Sequence, residues 1–209
     1  LDTDKFLEIK DEDVLDSAAA DQFLRSRRSV RLYRKEELSQ ETLKELIDVA
    51  SAAPTGENAQ TVSWLVIRER NKMREISDKM VEVYASLAKD KDDPHAKFYR
   101  ALVMAYNKGN DVFLRGAPNM AVALTPKDYE WPEDGTISIT YMELAAHSRQ
   151  LGACWAGYFV QMLRENKELQ ELVGLNPDYY VSGALLLGKP LFKKTKKTPP
   201  RKEREIIWT

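Results

Sequence analysis

The chain is poor in the residues that usually hold metals. Among its 209 residues there are one cysteine, Cys154, and two histidines, His95 and His147. A single thiol can neither close an intramolecular disulfide nor hold an iron–sulfur cluster, and so few nitrogen and sulfur ligands do not favour a structural metal site. We therefore expect no metal and no cluster within this chain.

Long apolar runs and an excess of one charge are also missing. The sequence has no run of about 18 apolar residues and no signal-peptide pattern, so we expect no membrane span and a cytoplasmic location. Its 32 lysines and arginines nearly balance 33 aspartates and glutamates, which argues against a nucleic-acid binder, since that class usually needs a net basic face. With 43% apolar residues, the length predicts one globular domain with a sizeable core.

A glycine-rich phosphate loop of the GxGxxG type is absent as well, but one compact basic segment is present. Arg27, Arg28 and Arg31 surround Ser29 within five positions. Guanidiniums beside a hydroxyl can supply forked, charge-assisted donors to phosphate oxygens. Basic segments of this length more often form solvated surface, so the segment by itself does not establish an anion site.

Six segments carry a resemblance to a known family. They are RRSVRLY at 27–33, AAPTGENAQ at 52–60, RGAPNMAVAL at 115–124, ITYMELAAHSRQLGACWAGYF at 139–159, GALLLGKP at 183–190 and PPRKEREIIW at 199–208. With these segments in this order, from about Phe23 to Trp208, the chain resembles the nitroreductase family of FMN-dependent oxidoreductases. The likeness is greatest to the nitroreductase domain of members that carry a ferredoxin-like iron–sulfur domain, which here would precede Leu1.

The resemblance implies an α+β, nitroreductase-like three-layer fold. Helices would flank a central mixed or antiparallel sheet, and an extended C-terminal tail would cross to the partner of a homodimer. It also implies an N-terminal arm at 1–22 and an FMN-binding domain at 23–209.

Apolar periodicity gives a separate prediction of the elements. It indicates helices at 15–24, 40–50, 73–84, 98–106 and 136–151, and strands at 62–68, 119–125 and 181–187. A further helix is indicated through 162–173, and the segment 154–159 leads into it. The helix at 136–151 is apolar nearly all round, which is typical of a central buried helix.

The family's phosphate-binding segments match two parts of this chain. The resemblance implies a phosphate cradle formed by Arg27, Ser29, Arg31 and Arg201, with Arg28 and Lys202 beside it. Prolines precede Arg201 and stiffen its backbone. The positive charges of these arginines and of Lys202 suit the phosphate dianion of FMN.

Two further segments are implied to contact the flavin. Pro54, Thr55, Asn58 and Gln60 would reach the ring edge or the ribityl hydroxyls, since side-chain amides both donate and accept, and in the family this loop usually meets the flavin of the neighbouring subunit. The same residues also make good turn chemistry, and Asn58 could stabilise only its own turn. Trp155, Ala156 and Gly157 match the family loop whose backbone amides face the flavin N5 and pyrimidine end.

Substrate residues are less well indicated. Tyr106, Phe113 and Trp131 fall in the part of the family that often covers the pocket, but plain core packing accounts for them equally well. We interpret Cys154 as a small buried hydrophobic residue and His147 as a core histidine, and we name no catalytic side chain, because flavin N5 itself donates and accepts the hydride.

The implied reaction is a ping-pong transfer. A reduced donor, either NADH, NADPH or a ferredoxin-type cluster, would reduce FMN and leave, and a nitroaromatic, quinone or similar acceptor would replace it. Two other classes stay open. One is a flavin-binding electron-relay or regulatory module without turnover of its own, and the other is a nucleic-acid adaptor acting through the segment KKTKKTPPRK at 193–202.

Overall fold

The computed structural model describes residues 6–192, 197–198 and 200–209. Residues 193–196 and 199, which belong to the basic segment at 193–202, lie outside the described residues. The described chain divides into two compact units: residues 6–27 with 197–198 and 200–209 form the first, and residues 28–192 form the second.

The first unit contains one α-helix, α1 (Ser17–Ser26), within its described part. Asp16 begins it, because its carboxylate accepts a hydrogen bond from the Ala19 N–H at 2.8 Å. The helix overlaps the one predicted at 15–24. Several apolar side chains of this unit are exposed, among them Phe6, Leu7 and Trp208.

The second unit contains four strands and six α-helices within its described residues. The strands are β1 (Ser63–Ile67), β2 (Asn119–Pro126), β3 (Gly152–Trp155) and β4 (Tyr179–Gly188). The helices are α2 (Gln40–Ala50), α3 (Arg70–Leu87), α4 (Ala96–Asn107), α5 (Glu133–Ser148), α6 (Gly157–Glu165) and α7 (Lys167–Val173).

The strands form one antiparallel sheet in the order β1-β2-β4-β3. The central strands β2 and β4 are buried along nearly their whole length, and Val122 pairs with Ala184 across them. Strands that are covered on both faces read as continuous apolar runs, which is the pattern that predicted them. The α+β class is therefore confirmed, with a sheet that is antiparallel throughout.

Side chains that alternate along the strands feed two separate cores. Met120, Val122 and Leu186 pack on one face with residues of α3, α4, α6 and α7. Ala121, Ala123 and Leu185 pack on the other face with α2 and α5. Helices thus cover both faces of the sheet, in three layers.

Helix α5 lies close against the sheet. An added Cβ on Gly135 would come within 2.4 Å of the Ser182 Cβ on β4, so glycine permits this close approach. Ile139 and Met142 of the same helix are fully buried. The prediction of a central buried helix is confirmed.

The segment after α5 differs from the prediction. One helix was expected through 162–173, with 154–159 leading into it, but the chain forms β3 up to Trp155 and then two helices that meet at Asn166. Asn166 ends α6 and begins α7, since its side chain accepts from the Leu169 N–H at 2.8 Å. A strand of four residues is too short to show a period, and its partner β4 lies about 30 positions further on.

None of the helices in the described part of the chain has the length and apolar character of a membrane span.

Candidate functional site

A cavity of about 400 Å³ opens where β3 leads into α6. Its lining includes Arg31, Trp155 and Gly157, three of the predicted site residues, together with Phe113. The lining is completed by Val112, Arg115, Cys154, Tyr158, Gln161 and Leu186. Residues that lie 126 positions apart in the chain, Arg31 and Gly157, are therefore brought to one place.

The edge of the sheet holds Arg31 in position. Ser29 forms a parallel bridge with Ala153 of β3, and the Val30 N–H donates to the Ala153 carbonyl at 2.8 Å. The Tyr33 hydroxyl donates to the Val30 carbonyl within the segment at 2.6 Å, and Tyr33 forms an antiparallel bridge with Pro190, which fixes the other end. Arg28 and Ser29, both half-buried, precede Arg31 on the same segment. The basic segment is thus a short extension of the sheet, which carries Arg31 to the cavity.

Trp155 ends β3 at the cavity wall. Its indole N–H donates to Glu143 Oε2 at 3.1 Å, and its ring lies over Gly183, where an added Cβ would meet it at 3.1 Å. One contact comes from α5 in the neighbouring layer and the other from the adjacent strand β4, so the indole is held on two sides.

The backbone of Ala156 and Gly157 differs from the expectation in one respect. The Ala156 N–H donates to the Ala184 carbonyl at 2.9 Å, so this donor is already used within the sheet region. Gly157 begins α6, and an added Cβ there would meet nothing within 4 Å. No side chain caps the start of α6, so its first-turn backbone N–H groups are not bonded to a capping residue. These N–H groups are the hydrogen-bond donors that the chain offers at this end of the cavity.

The cavity is electropositive. Two guanidiniums, Arg31 and Arg115, line it, and its described lining contains no carboxylate. Burial raises the pKa of the Cys154 thiol, and both arginines act in the opposite direction. The thiol is buried, as predicted. Arg31 and Arg115 lie near it, although no basic residue flanks Cys154 in the sequence.

Arg115 is the charged lining residue that the sequence interpretation missed. It has a left-handed backbone with φ of 60°, a conformation that costs a residue other than glycine of order 1–3 kcal/mol. Asp111 holds this turn, because its backbone carbonyl accepts from the Arg115 N–H and its carboxylate from the N–H groups of Leu114 and Gly116. Arg115 opens the segment RGAPNMAVAL, but nothing in the spacing relates it to Arg31.

The predicted amide loop, Pro54 to Gln60, lies outside this cavity. Thr55 Oγ1 accepts from the Gln60 N–H at 3.0 Å, and Gln60 Nε2 donates to Asn58 Oδ1 at 3.1 Å. Asn58 thus does support its own turn, and its side chain and that of Gln60 are also exposed. Three residues of the loop, Glu57, Asn58 and Gln60, have φ between 53° and 55°.

The three substrate candidates occupy separate places. Phe113 is almost completely buried, stacks on Tyr84 with ring centroids 5.1 Å apart, and reaches the cavity wall. Tyr106 lines a different cavity of about 520 Å³, and its hydroxyl donates to Asp78 at 2.7 Å. Trp131 packs against Gly56 of the amide loop. Of the three, only Phe113 lines the cavity together with Arg31, Trp155 and Gly157.

A second cavity, of about 470 Å³, adjoins the first along α6. Tyr158 and Gln161 line both. Its other walls carry the rings of Tyr84, Phe98 and Tyr99 from α3 and α4. Stacked or edge-to-face contacts with a planar ring are the interactions that such a wall can offer.

Three predicted phosphate residues belong to the first unit. Arg27 directly follows α1, and Arg201 and Lys202 lie exposed on the C-terminal tail. Pro199, the first residue of the matched tail segment, lies outside the described residues.

His147 is buried on α5, as predicted. Across the described ranges, no group of three or more histidine, cysteine, aspartate or glutamate side chains is arranged to hold a metal ion.

Comparison with known proteins gives consistent matches. A family model described as the nitroreductase family matches residues 24–189. A provisionally named NADH dehydrogenase/NAD(P)H nitroreductase of Methanothermobacter thermautotrophicus is 28% identical over 136 residues, which cover 65% of this chain and 59% of that protein. The match therefore spans less than two thirds of that relative's length.

Two solved structures share the fold. A nitroreductase of Bacteroides fragilis with bound FMN superposes with a TM-score of 0.68 at 19% identity, over 89% of this chain and 97% of its own. A nitroreductase of Desulfitobacterium hafniense with bound FMN gives a TM-score of 0.69 at 22% identity, over 89% and 96%. The nitroreductase-like fold expected from the sequence is confirmed.

Proposed function

The chain belongs to the nitroreductase family, and on that premise we propose that it is an FMN-dependent oxidoreductase. It takes electrons from a reduced donor, either NADH, NADPH or a ferredoxin-type cluster, and passes them to a nitroaromatic, a quinone or a similar planar acceptor. It works as a cytoplasmic homodimer.

The convergence of Arg31, Trp155 and Gly157 on one cationic cavity carries this proposal. FMN combines a planar ring with negative charge, and the cavity combines the rings of Phe113 and Tyr158 with two guanidiniums and no lining carboxylate. Its volume lies within the range of about 300–1,000 Å³ that is usual for ligand pockets. The residues present therefore fit the flavin.

Each group of residues has a task in this proposal. The guanidinium of Arg115 and the first-turn amides of α6 stabilise negative charge at the polar edge of the ring. Arg27, Ser29, Arg31 and Arg201 bind the phosphate, with Arg28 and Lys202 beside them. The bound flavin supplies the redox chemistry itself, so the protein contributes position and electrostatics and no side-chain acid or base.

The amide loop supports the proposed homodimer. Pro54, Thr55, Asn58 and Gln60 do not line the cavity of their own chain, and they present exposed amides. A loop of this kind can complete the site of a second copy. Exposed apolar residues of the first unit, such as Ile207 and Trp208, offer further surface for such a partner.

The aromatic-walled cavity beside the first one supports the acceptor class. Its walls suit a flat aromatic molecule, and Tyr158 and Gln161 adjoin both cavities. A change of Phe98 to alanine is expected to raise KM for menadione and leave KM for ferricyanide unchanged, because only the first acceptor gains from ring contacts. An equal change for both acceptors would contradict this assignment.

The proposal is tested by flavin binding and reduction. The purified protein is expected to take up FMN and show a flavin absorbance spectrum, which bleaches under anaerobic NADH or NADPH if the chain accepts electrons directly. A flavin that stays oxidised with both points to a separate electron-delivering domain or to a relay module. A colourless protein that takes up no FMN would refute the proposal.

A variant pair tests the cavity itself. Arg31→Gln removes one charge-assisted contact, worth about 1.5–3 kcal/mol, and should weaken FMN binding about ten- to a hundredfold. Lys44→Gln removes the same charge from the exposed face of α2 and should leave binding unchanged. Equal affinities of the two variants would exclude Arg31 from the site.

A further inference from the structure

Three side chains from a short segment enclose Gly56 of the amide loop. We call Tyr129, Trp131 and Asp134 the loop brace. Asp134 Oδ2 accepts from the Gly56 N–H at 2.9 Å and from the Tyr129 hydroxyl at 2.6 Å. The Gly56 carbonyl lies 3.1 Å from the same hydroxyl, and the Trp131 ring packs on the Gly56 α-carbon.

The brace is anchored in the core. Asp134 is only 4% exposed and lies in the first turn of α5, a helix that packs against the sheet. A carboxylate in the first turn of a helix is favoured by the helix dipole. The buried charge is satisfied by the two donors, Gly56 and Tyr129, which removes much of the cost of its burial.

The fit at Gly56 excludes any larger residue. An added Cβ would lie 2.7 Å from the Trp131 ring and 3.1 Å from the Tyr129 hydroxyl. The indole ring and the phenol ring also meet edge to face, with centroids 5.5 Å apart. Gly56 is therefore held on three sides: by its hydrogen bond to Asp134, by the Tyr129 hydroxyl and by the Trp131 ring.

The loop needs such a restraint. Glu57, Asn58 and Gln60 have left-handed backbones, and the hydrogen bonds that join Thr55, Asn58 and Gln60 to one another are local. A local network can preserve the shape of a turn but cannot fix its position on the protein. The bond from Gly56 to Asp134 spans 78 positions and supplies that fixation.

We infer that the loop brace is a positioning device for the flavin contacts of the amide loop. This inference rests on the proposed function. Tyr129, Trp131 and Asp134 touch no cofactor themselves. They hold Gly56, and thereby set where Thr55, Asn58 and Gln60 present their polar groups to a flavin. Trp131, a candidate substrate residue by sequence, acts in this way through the loop.

The test compares FMN with riboflavin, which has the same ring and ribityl chain but no phosphate. Tyr129→Phe removes only the hydroxyl. It is expected to raise the dissociation constants of both flavins by the same factor, about tenfold for a bond to a charged group. The ratio of the two constants should stay at its wild-type value, because the loop contacts the part that the two flavins share.

Two controls make the result specific. Tyr180→Phe removes an exposed hydroxyl from β4 and should change neither constant. Arg27→Ala should raise the constant of FMN alone, since that residue is proposed to bind the phosphate. The melting temperature of the Tyr129→Phe apoprotein should fall, because the buried Asp134 loses one of its two donors. A purely structural role would lower the melting temperature but leave both dissociation constants of the folded protein unchanged.

A second brace variant guards against a folding defect in the first. Asp134→Asn keeps the shape of the side chain but removes its charge, and should produce the same parallel loss. Unchanged constants in both brace variants, or a loss confined to FMN, would overturn the inference. A wild-type protein that binds neither flavin would refute the proposed function, and the inference with it.

Discussion

Gly135 and Gly157 differ in the space beside their α-carbons, and this difference predicts different effects of the same substitution. An added Cβ on Gly135 would meet the Ser182 side chain at 2.4 Å, whereas on Gly157 it would meet nothing within 4 Å. Gly135→Ala should therefore lower the free energy of unfolding by about 1–3 kcal/mol, through overpacking between α5 and β4. Gly157→Ala should leave the apoprotein unchanged or slightly more stable.

Urea unfolding of the two apoproteins measures both effects. Equal stabilities would show that the sheet moves away from α5 without cost. In the same Gly157→Ala protein, FMN affinity should fall, because the methyl group enters the cavity that the flavin is proposed to fill.

The sequence could predict residues whose role follows from their neighbours. Arg31 was indicated by the basic segment, and Cys154 by its apolar surroundings in the chain. Arg115 and the Tyr129–Asp134 pair were missed, because their partners, Arg31 and Gly56, lie more than 70 positions away. Spacing along the chain carries no signal for such pairs, and only the packing of the sheet and α5 brings them together.

At the scale of the element, the start of α2 is fixed by one hydroxyl. Ser39 Oγ accepts from the Thr42 N–H at 3.1 Å. Ser39→Ala should lower the free energy of unfolding by about 1 kcal/mol, and Ser39→Asp should retain it. Chemical denaturation of the three proteins checks this, and an alanine variant as stable as the wild type would show that packing alone defines the helix start.

Elements with a clear period were predicted well. Helices α2 to α5 and strands β1, β2 and β4 appear within a few residues of their expected places. The exceptions are β3 and the break between α6 and α7. β3 is defined by its pairing with β4 and by the bridge to Ser29, and the break depends on the side chain of Asn166. Both depend on single contacts that an apolar pattern does not contain.

For the whole molecule, buried tyrosines predict a loss of stability in alkaline solution. Burial raises the pKa of Tyr84 to about 12 and also raises that of Tyr33. The folded state thus favours the protonated phenols. Their contribution to stability is complete below the ordinary tyrosine pKa of about 10 and is lost as the pH rises towards the folded-state value.

The free energy of unfolding should therefore fall between pH 10 and pH 12, because the unfolded chain ionises its tyrosines over this range while the buried phenols of the folded protein stay protonated. Tyr84→Phe keeps the ring that stacks on Phe113 and loses the ionisable hydroxyl. Its stability should fall less steeply over this range. Identical slopes for wild type and variant would assign the alkaline loss to other groups.

The strand order β1-β2-β4-β3 also affects how the protein is made. β4 comes last of the four strands in the sequence yet pairs with both β2 and β3. During synthesis β3 emerges from the ribosome before its strand partner exists, and Leu186 of β4 completes the cavity wall later still. Nascent chains halted before Tyr179 are thus expected to bind no flavin, and the cofactor can be captured only after the polypeptide has extended beyond β4.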